Sequence, residues 1–127
     1  MTLVVDASAV AEILLWSERG SAASALLADH ALIAPQHLSA EVASVLREWS
    51  MGGHVSDPEV LQAFRDFVDL GIDQLDMTAS LPAVWALRHN LSAYDAMYVV
   101  LARAAKCQLL TCDARLAAAA PDCALLP

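Results

Sequence analysis

The sequence predicts an α/β fold, a three-layer α/β/α sandwich built around a central parallel sheet. Leu3, Val4 and Val5 form a short apolar run with two β-branched residues, which is typical of a strand buried on both faces. Helical spacing begins at Ser8, so this strand is followed directly by a helix. Further apolar runs alternate with helical segments along the chain, and this alternation favours a parallel sheet covered on both faces.

The other elements are assigned from apolar runs, helical spacing and capping residues. Gly20 and Ser21 are expected to separate the first helix from a second short one at 22–29. Ser56 or Asp57 caps a later helix whose first turn holds Pro58. Strands are predicted at 31–34, 72–75, 108–112 and 124–126, the last at an edge of the sheet. Helices are predicted at 36–51, 58–70, 78–90 and 93–106, with a short alanine-rich helix after 113.

Length and composition limit the class of protein. The chain has 127 residues, which fits a single domain over 1–127, and 58% of them are hydrophobic. That apolar content is high for a small domain, so we expect part of the surface to meet a partner. No apolar run approaches the roughly 20 residues that span a bilayer, and no basic region precedes an apolar stretch at the N-terminus. Three cysteines without metal-ligand spacing favour a reduced, cytoplasmic setting.

The charge balance is strongly acidic. Seven Lys and Arg residues stand against 15 Asp and Glu, which gives a net charge of −8. This composition argues against a protein that grips nucleic acid through a broad basic face. It suits clustered carboxylates that hold cations, and it also suits a basic protein partner.

Two acids follow strands of the predicted sheet. Asp6 and Asp113 each end an apolar strand and each precede a helix. The carboxyl ends of parallel strands lie at one edge of the sheet, where open α/β sheets bind their ligands. Either residue could instead be a helix N-cap, but two acids at the same edge favour a site.

Two helices supply further acids. Glu41 lies in the apolar stripe of its helix, between Leu38 and Val45, although it could also lie at the margin and reach water. Asp95 begins a helix that is apolar on all sides, and it shares a face with Tyr98. Its alternative role is in a capping box with Ser92.

Four such acids without basic partners repel one another, and binding a hard cation relieves that repulsion. Carboxylates and water are the ligands that Mg²⁺ and Mn²⁺ take. A cation held by carboxylates at a sheet edge suits phosphodiester hydrolysis, because it neutralises phosphate charge and activates a water.

Taken together, these stretches resemble a PIN-domain ribonuclease, and most closely the toxin half of a VapBC-type toxin–antitoxin pair. The matching pieces are VVDASA at 4–9, SAEVASVLR at 39–47, LSAYDAMYVVLA at 91–102 and LLTCDARL at 109–116. They occur in the order typical of the family and cover nearly the whole chain.

The resemblance implies a PIN-like α/β/α sandwich and an endoribonuclease that depends on Mg²⁺ or Mn²⁺. It also implies a homodimer with RNA as substrate, inhibited by an antitoxin protein that inserts a segment at the acidic site. The metal-binding and catalytic acids that it implies are Asp6, Glu41, Asp95 and Asp113. Ser8 and Thr111 would be supporting polar residues near them. Arg115 is the first candidate for a phosphate contact, although a charge on a solvated helix face is the more common role for such a residue, and Arg47, Arg88 and Arg103 rank below it.

Two other functions are consistent with parts of the sequence. A non-catalytic PIN-fold module that binds metal or a protein partner without cleaving RNA would also be acidic and apolar. A phosphohydrolase that forms an aspartyl-phosphate on Asp6 ranks last, because that chemistry usually wants a second acid where Ser8 stands.

Histidines and tryptophans are given structural roles. The histidines share no spacing, so they are expected at the surface or at helix ends rather than as ligands; they are His30, His37, His54 and His89. The tryptophans are expected in the core or at a dimer face; they are Trp16, Trp49 and Trp85.

Overall fold

The computed structural model describes residues 1–127 and contains one sheet of five parallel strands. The strands are β1 (Thr2–Val5), β2 (Ala31–Pro35), β3 (Asp73–Leu75), β4 (Gln108–Leu110) and β5 (Ala124–Leu125). Their order across the sheet is β3-β2-β1-β4-β5, and all four neighbouring pairs run parallel. The predicted parallel sheet is therefore confirmed, including the short edge strand at the end of the chain.

Seven helices cover the two faces of this sheet. They are α1 (Ala7–Leu14), α2 (Glu18–Leu26), α3 (Leu38–Met51), α4 (Asp57–Asp69), α5 (Leu81–Ala86), α6 (Ala93–Ala105) and α7 (Ala114–Ala119). Right-handed crossovers place α1 to α4 in one layer and α5 to α7 in the other. The contacts agree, because α1 packs on α2, α3 and α4, while α5 packs on α6. The three-layer α/β/α sandwich is thus confirmed, and none of its helices is long and apolar enough to cross a membrane.

Strand β1 and helix α6 form the centre of the core. Leu3, Val4 and Val5 are all buried, as expected for a strand covered on both faces. Helix α6 packs across β1, β2 and β4 and buries every residue from Tyr98 to Ala102. Each fully buried Leu or Val side chain contributes roughly 1.5–3 kcal/mol relative to exposure. These two elements therefore hold the positions of the groups at their ends.

The sheet has its topological switch point at β1. From β1 the chain adds β2 and β3 on one side, and it later adds β4 and β5 on the other. The crossovers therefore leave β1 and β4 towards opposite faces, which opens a crevice beyond their carboxyl ends. The Asp6 backbone N–H donates to the Leu110 carbonyl at 3.2 Å, so these two strand ends are joined.

The predicted break at Gly20 is wrong. Helix α2 begins at Glu18, with Ser17 as its N-cap, and Gly20 lies inside it. A Cβ at Gly20 would stand 1.9 Å from the Glu12 carbonyl oxygen, so glycine allows the close contact between α1 and α2. In this sequence the residue permits packing rather than ending a helix.

The helix predicted at 78–90 is shorter than expected. Thr78–Ser80 forms a 3₁₀ turn, and α5 begins only at Leu81, with Pro82 in its first turn. The Thr78 backbone N–H donates to the Asp76 carboxylate at 2.7 Å, which ties the start of this segment into a turn.

Two of the three tryptophans lie outside the core. The tryptophans are predicted to lie in the core or at a dimer face, and for these two the core alternative is wrong. Trp85 is 67% exposed on α5, and Trp16 is exposed in the loop after α1. Trp49 alone packs against the core, on α3.

Candidate active site

Asp6 lies at the centre of the crevice, directly after β1. It is the N-cap of α1, and its Oδ1 accepts hydrogen bonds from the Ala9 N–H at 2.9 Å and the Ser8 hydroxyl at 2.7 Å. The Thr111 hydroxyl donates to Oδ2. The residue is only 4% exposed. The N-cap interpretation is therefore correct for Asp6, and it coexists with a buried carboxylate in the crevice.

The pKa of the Asp6 carboxyl is raised from 3.8 to about 6. Burial is the largest cause, because it penalises the charged form, and the negative charge of Asp113 adds to it. The hydrogen bonds from Thr111, Ala9 and Ser8 act in the opposite direction.

Ser8 and Thr111 connect Asp6 to the end of β4. The Ser8 hydroxyl accepts the Cys112 N–H at 2.9 Å while donating to Asp6. The Thr111 hydroxyl likewise accepts the Asp113 N–H at 3.0 Å while donating to Asp6. Each hydroxyl thus donates a hydrogen bond to the Asp6 carboxylate and accepts one from a backbone N–H of the loop after β4. The two strand ends are fixed relative to each other by these bonds.

Asp113 uses one carboxylate oxygen as a cap. Its Oδ1 accepts the backbone N–H groups of Arg115 at 2.9 Å and Leu116 at 3.3 Å, so it is the N-cap of α7. Its Oδ2 accepts no hydrogen bond from the protein. The capping alternative is therefore correct for Asp113 too, but it leaves a free oxygen beside Asp6.

Asp95 lies in the first turn of α6, next to Asp113. Ser92 is the N-cap, since its hydroxyl accepts the Asp95 backbone N–H at 3.2 Å. Burial and then the charge of Asp113 raise the pKa of the Asp95 carboxyl, while the positive charge of Arg115 opposes them. Helix α6 runs back across the sheet to β4, so its first turn is at the same edge as Asp6 and Asp113.

Glu41 lies at the margin of the buried stripe of α3, which consists of Leu38, Val42 and Leu46. Its side chain is 30% exposed, and its Oε1 accepts the Tyr98 hydroxyl at 2.7 Å. Glu41 therefore lies at the margin of the stripe, as the alternative had it. The carboxylate is nevertheless held against α6 rather than free in water.

His37 and Tyr98 stand beside the acids and had no expected part in the site. His37 Nε2 is 3.1 Å from Glu41 Oε1, but the two are not aligned for a hydrogen bond, and both ring nitrogens are buried without one. Burial and the bond to Glu41 raise the pKa of Tyr98, and the charge of Asp6 adds to them. His37 does lie at a helix end, as predicted. The signal for Tyr98 was its position three residues after Asp95, on the same face of one helix.

Of the candidate arginines, Arg115 is the one whose charge acts on these acids. It lowers the pKa of Asp95 against the effect of burial, and its side chain is exposed. Arg103 is bound by two hydrogen bonds of 2.9 Å to Asp122. Arg88 stacks on the Trp85 ring at 4.9 Å, and Arg47 is exposed on α3.

The carboxylate oxygens of these acids are the kind of ligand that a hard divalent cation prefers. Asp113 raises the pKa of both Asp6 and Asp95, so these carboxylates repel one another without a bound cation between them. As the side chains stand, no three acidic, histidine or cysteine groups are close enough to hold one ion together. Mg²⁺ commonly binds through one or two carboxylates and keeps several waters, which this arrangement allows.

The raised pKa of Asp6 predicts that the free energy of unfolding, measured in the presence of a chelator, depends on pH. Since the folded protein binds this proton more tightly, stability falls as pH rises from about 4 to about 6, and the loss persists above. We expect Asp6→Asn to be more stable than the wild type at pH 8 by at most about 3 kcal/mol, and to have no advantage at pH 4. Urea unfolding at both pH values measures this, with the exposed Asp69→Asn as control. An advantage of equal size at both pH values would contradict the prediction.

Comparison with known proteins identifies the family. A family model described as PIN domain matches residues 3–121. Ribonuclease VapC3 of Mycobacterium tuberculosis is 38% identical over 121 residues, which cover 94% of this chain and 88% of the relative. Ribonuclease VapC1 of the same organism is 40% identical over 123 residues, with 91% and 89% covered.

A solved structure shows the same fold. The crystal structure of PAE2754 from Pyrobaculum aerophilum matches with a TM-score of 0.71 at 20% identity, covering 98% of this chain and 83% of that one. The family model and the relatives cover nearly the whole chain, and the protein belongs to the PIN-domain family, in its VapC ribonuclease branch.

Proposed function

We propose that this chain is a divalent-metal-dependent endoribonuclease, the toxin of a VapBC toxin–antitoxin pair, folded as a single domain over 1–127. The observation that carries the proposal is the buried Asp6 carboxylate at the switch point, which lies beside Asp113 and has no basic side chain in ion-pair contact. The VapC relatives, which are named ribonucleases, support the reaction. The acids that would hold Mg²⁺ or Mn²⁺ and carry catalysis are Asp6, Glu41, Asp95 and Asp113.

Residues of this chain orient the carboxylates of the site and give it its negative charge. When bound, the cation would neutralise phosphate charge and lower the pKa of a water for attack on the phosphodiester. Ser8 and Thr111 donate hydrogen bonds to the two oxygens of the Asp6 carboxylate and so fix its orientation. Asp113 could bind the cation through Oδ2, the oxygen that does not cap α7. Asp95 adds a negative charge from the first turn of α6. The net charge of −8 also suits an antitoxin that presents basic residues to this edge.

Replacing Asp6 by Asn tests the function directly. We expect RNA cleavage in Mn²⁺ to fall by more than about 100-fold, since even groups behind metal ligands commonly cost 10–100-fold. EDTA should abolish wild-type cleavage, and added Mn²⁺ should restore it. Cleavage is measured on a mixed-sequence, single-stranded RNA labelled at one end.

Asp69→Asn is the matched control, since it removes one exposed carboxylate from the end of α4. It should cleave like the wild type. Full activity of Asp6→Asn would overturn the assignment of the site. Metal binding by a wild type that cleaves no RNA would favour the non-catalytic PIN-fold module.

Arg115 is the proposed phosphate contact, because it is exposed and its charge reaches Asp95. We expect Arg115→Ala to raise KM for single-stranded RNA while kcat changes little, because it removes a contact that positions phosphate. The slope of log KM against log salt should fall by about 0.7, the value for one phosphate contact to a single strand. Arg65→Ala, an exposed arginine on α4, should leave both quantities unchanged. An Arg115→Ala enzyme with wild-type KM and salt slope would refute this contact.

A homodimer is part of the proposal, and its support is an apolar groove of about 460 Å³ on α5 and the segment before α6. The groove is lined by Leu81, Val84, Trp85 and Leu91. Trp85→Ala should weaken dimerisation by at least about 2 kcal/mol, since buried tryptophans dominate such interfaces. Sedimentation velocity over a range of micromolar concentrations measures this, with Trp16→Ala as the control. A monomeric wild type, or equal dimerisation of wild type and Trp85→Ala, would contradict the assignment.

A further inference from the structure

We propose that Tyr98 is a positioning residue, whose buried hydroxyl fixes the Glu41 carboxylate so that it can share a divalent cation with Asp6. The inference rests on the proposed function, since it assumes that the four acids hold a cation. It adds a residue that makes no contact with the cation itself.

The contact between Tyr98 and Glu41 links two layers of the fold. The Tyr98 hydroxyl donates to Glu41 Oε1 at 2.7 Å, across 57 positions of the chain. Tyr98 is 1% exposed and belongs to the central helix α6, so core packing fixes the position of its ring. The His37 ring packs edge-on against it at 5.0 Å and closes one side. The donor is therefore rigid.

Glu41 needs such a donor more than the other acids do. Asp6 and Asp113 are short side chains already held by backbone N–H groups at helix starts. Glu41 has a longer, partly exposed side chain with more rotamer freedom, and its ordering costs entropy. The bond to Tyr98 occupies Oε1 and leaves Oε2 for a ligand. Carboxylates that bind metals are commonly oriented by such hydrogen bonds.

The hydroxyl also lies close to Asp6. Burial and the bond to Glu41 are the main causes that raise the pKa of Tyr98, and the charges of Glu41 and Asp6 add to them, so both carboxylates lie near the phenol. His37, the other neighbour of Glu41, is not aligned to take over this role. One helix thus carries Asp95 and, one turn later, the group that orients an acid of another helix.

Tyr98→Phe removes the hydroxyl and keeps the ring. We expect its affinity for Mn²⁺, measured by isothermal titration calorimetry on chelator-treated protein, to fall 10–100-fold. Tyr94→Phe is the matched control, because it removes a hydroxyl from the same helix that makes no hydrogen bond, and its affinity should equal that of the wild type. Thermal unfolding in EDTA checks that each variant folds.

A double-mutant cycle tests whether Tyr98 acts through Glu41. In a Glu41→Ala background, Tyr98→Phe should cause no further loss of Mn²⁺ affinity. A further loss of tenfold or more would mean that Tyr98 supports the site in another way, and would overturn the inference. Equal Mn²⁺ affinity of Tyr98→Phe and wild type would also overturn it, while leaving the proposed function intact.

A spectroscopic test avoids any variant of Tyr98. The chain has two tyrosines, so in Tyr94→Phe the remaining one is Tyr98. Labelled with 3-fluorotyrosine, it should show a ¹⁹F shift on addition of Mg²⁺, and a smaller shift in the Tyr94→Phe/Glu41→Ala chain. No shift, or an equal shift in both chains, would refute the inference. A wild type that binds neither Mn²⁺ nor Mg²⁺ would refute the proposed cation site and this inference together.

Discussion

The burial of one carboxylate at the end of β1 is the constraint on which the rest of the site depends. A buried charge is costly unless hydrogen bonds and partners compensate it, and Asp6 receives donors from the start of α1 and from the residue after β4. Those donors must come from both strand ends at once, so Ser8 and Thr111 fix the two ends to each other. The hydrogen bonds that compensate the buried Asp6 charge therefore also hold the shape of the crevice.

The repulsion among these carboxylates lowers the stability of the folded protein, and it leaves the site ready to bind a cation. Asp113 raises the pKa of both Asp6 and Asp95, and no basic side chain lies within ion-pair distance of any of the three. Perturbed carboxyl pKa values of this kind concentrate at functional sites. A divalent cation would supply the positive charge that the fold withholds, and cation binding would stabilise the folded state by mass action.

The parts of the molecule that follow local rules could be predicted from the sequence. Asp6 and Asp113 end buried strands, so sheet geometry alone brings them to one edge. Glu41 was harder, because its exposure depends on how α3 packs, and its bond to Tyr98 joins residues that no local pattern relates. Gly20 lies inside α2 rather than at a break, because the close approach of α1 requires a residue without a Cβ, and no local rule shows that approach. Trp85 lies outside the core, because residue type alone does not decide which face of a short helix is covered, and only the dimer-face half of its prediction remains.

The acidity of the chain bears on how it would meet RNA. With a net charge of −8, the free protein repels a polyanion over most of its surface, and exposed basic groups are few. The positive charges near the crevice are then Arg115, Arg19, which donates a hydrogen bond to the Cys112 carbonyl, and whatever cation the carboxylates hold. Affinity for RNA should therefore be coupled to cation binding, since the cation removes the repulsion at the place where phosphate must approach. The same negative edge attracts a basic protein segment, so a basic antitoxin segment would compete with the cation for these carboxylates, whereas RNA binding would depend on the cation.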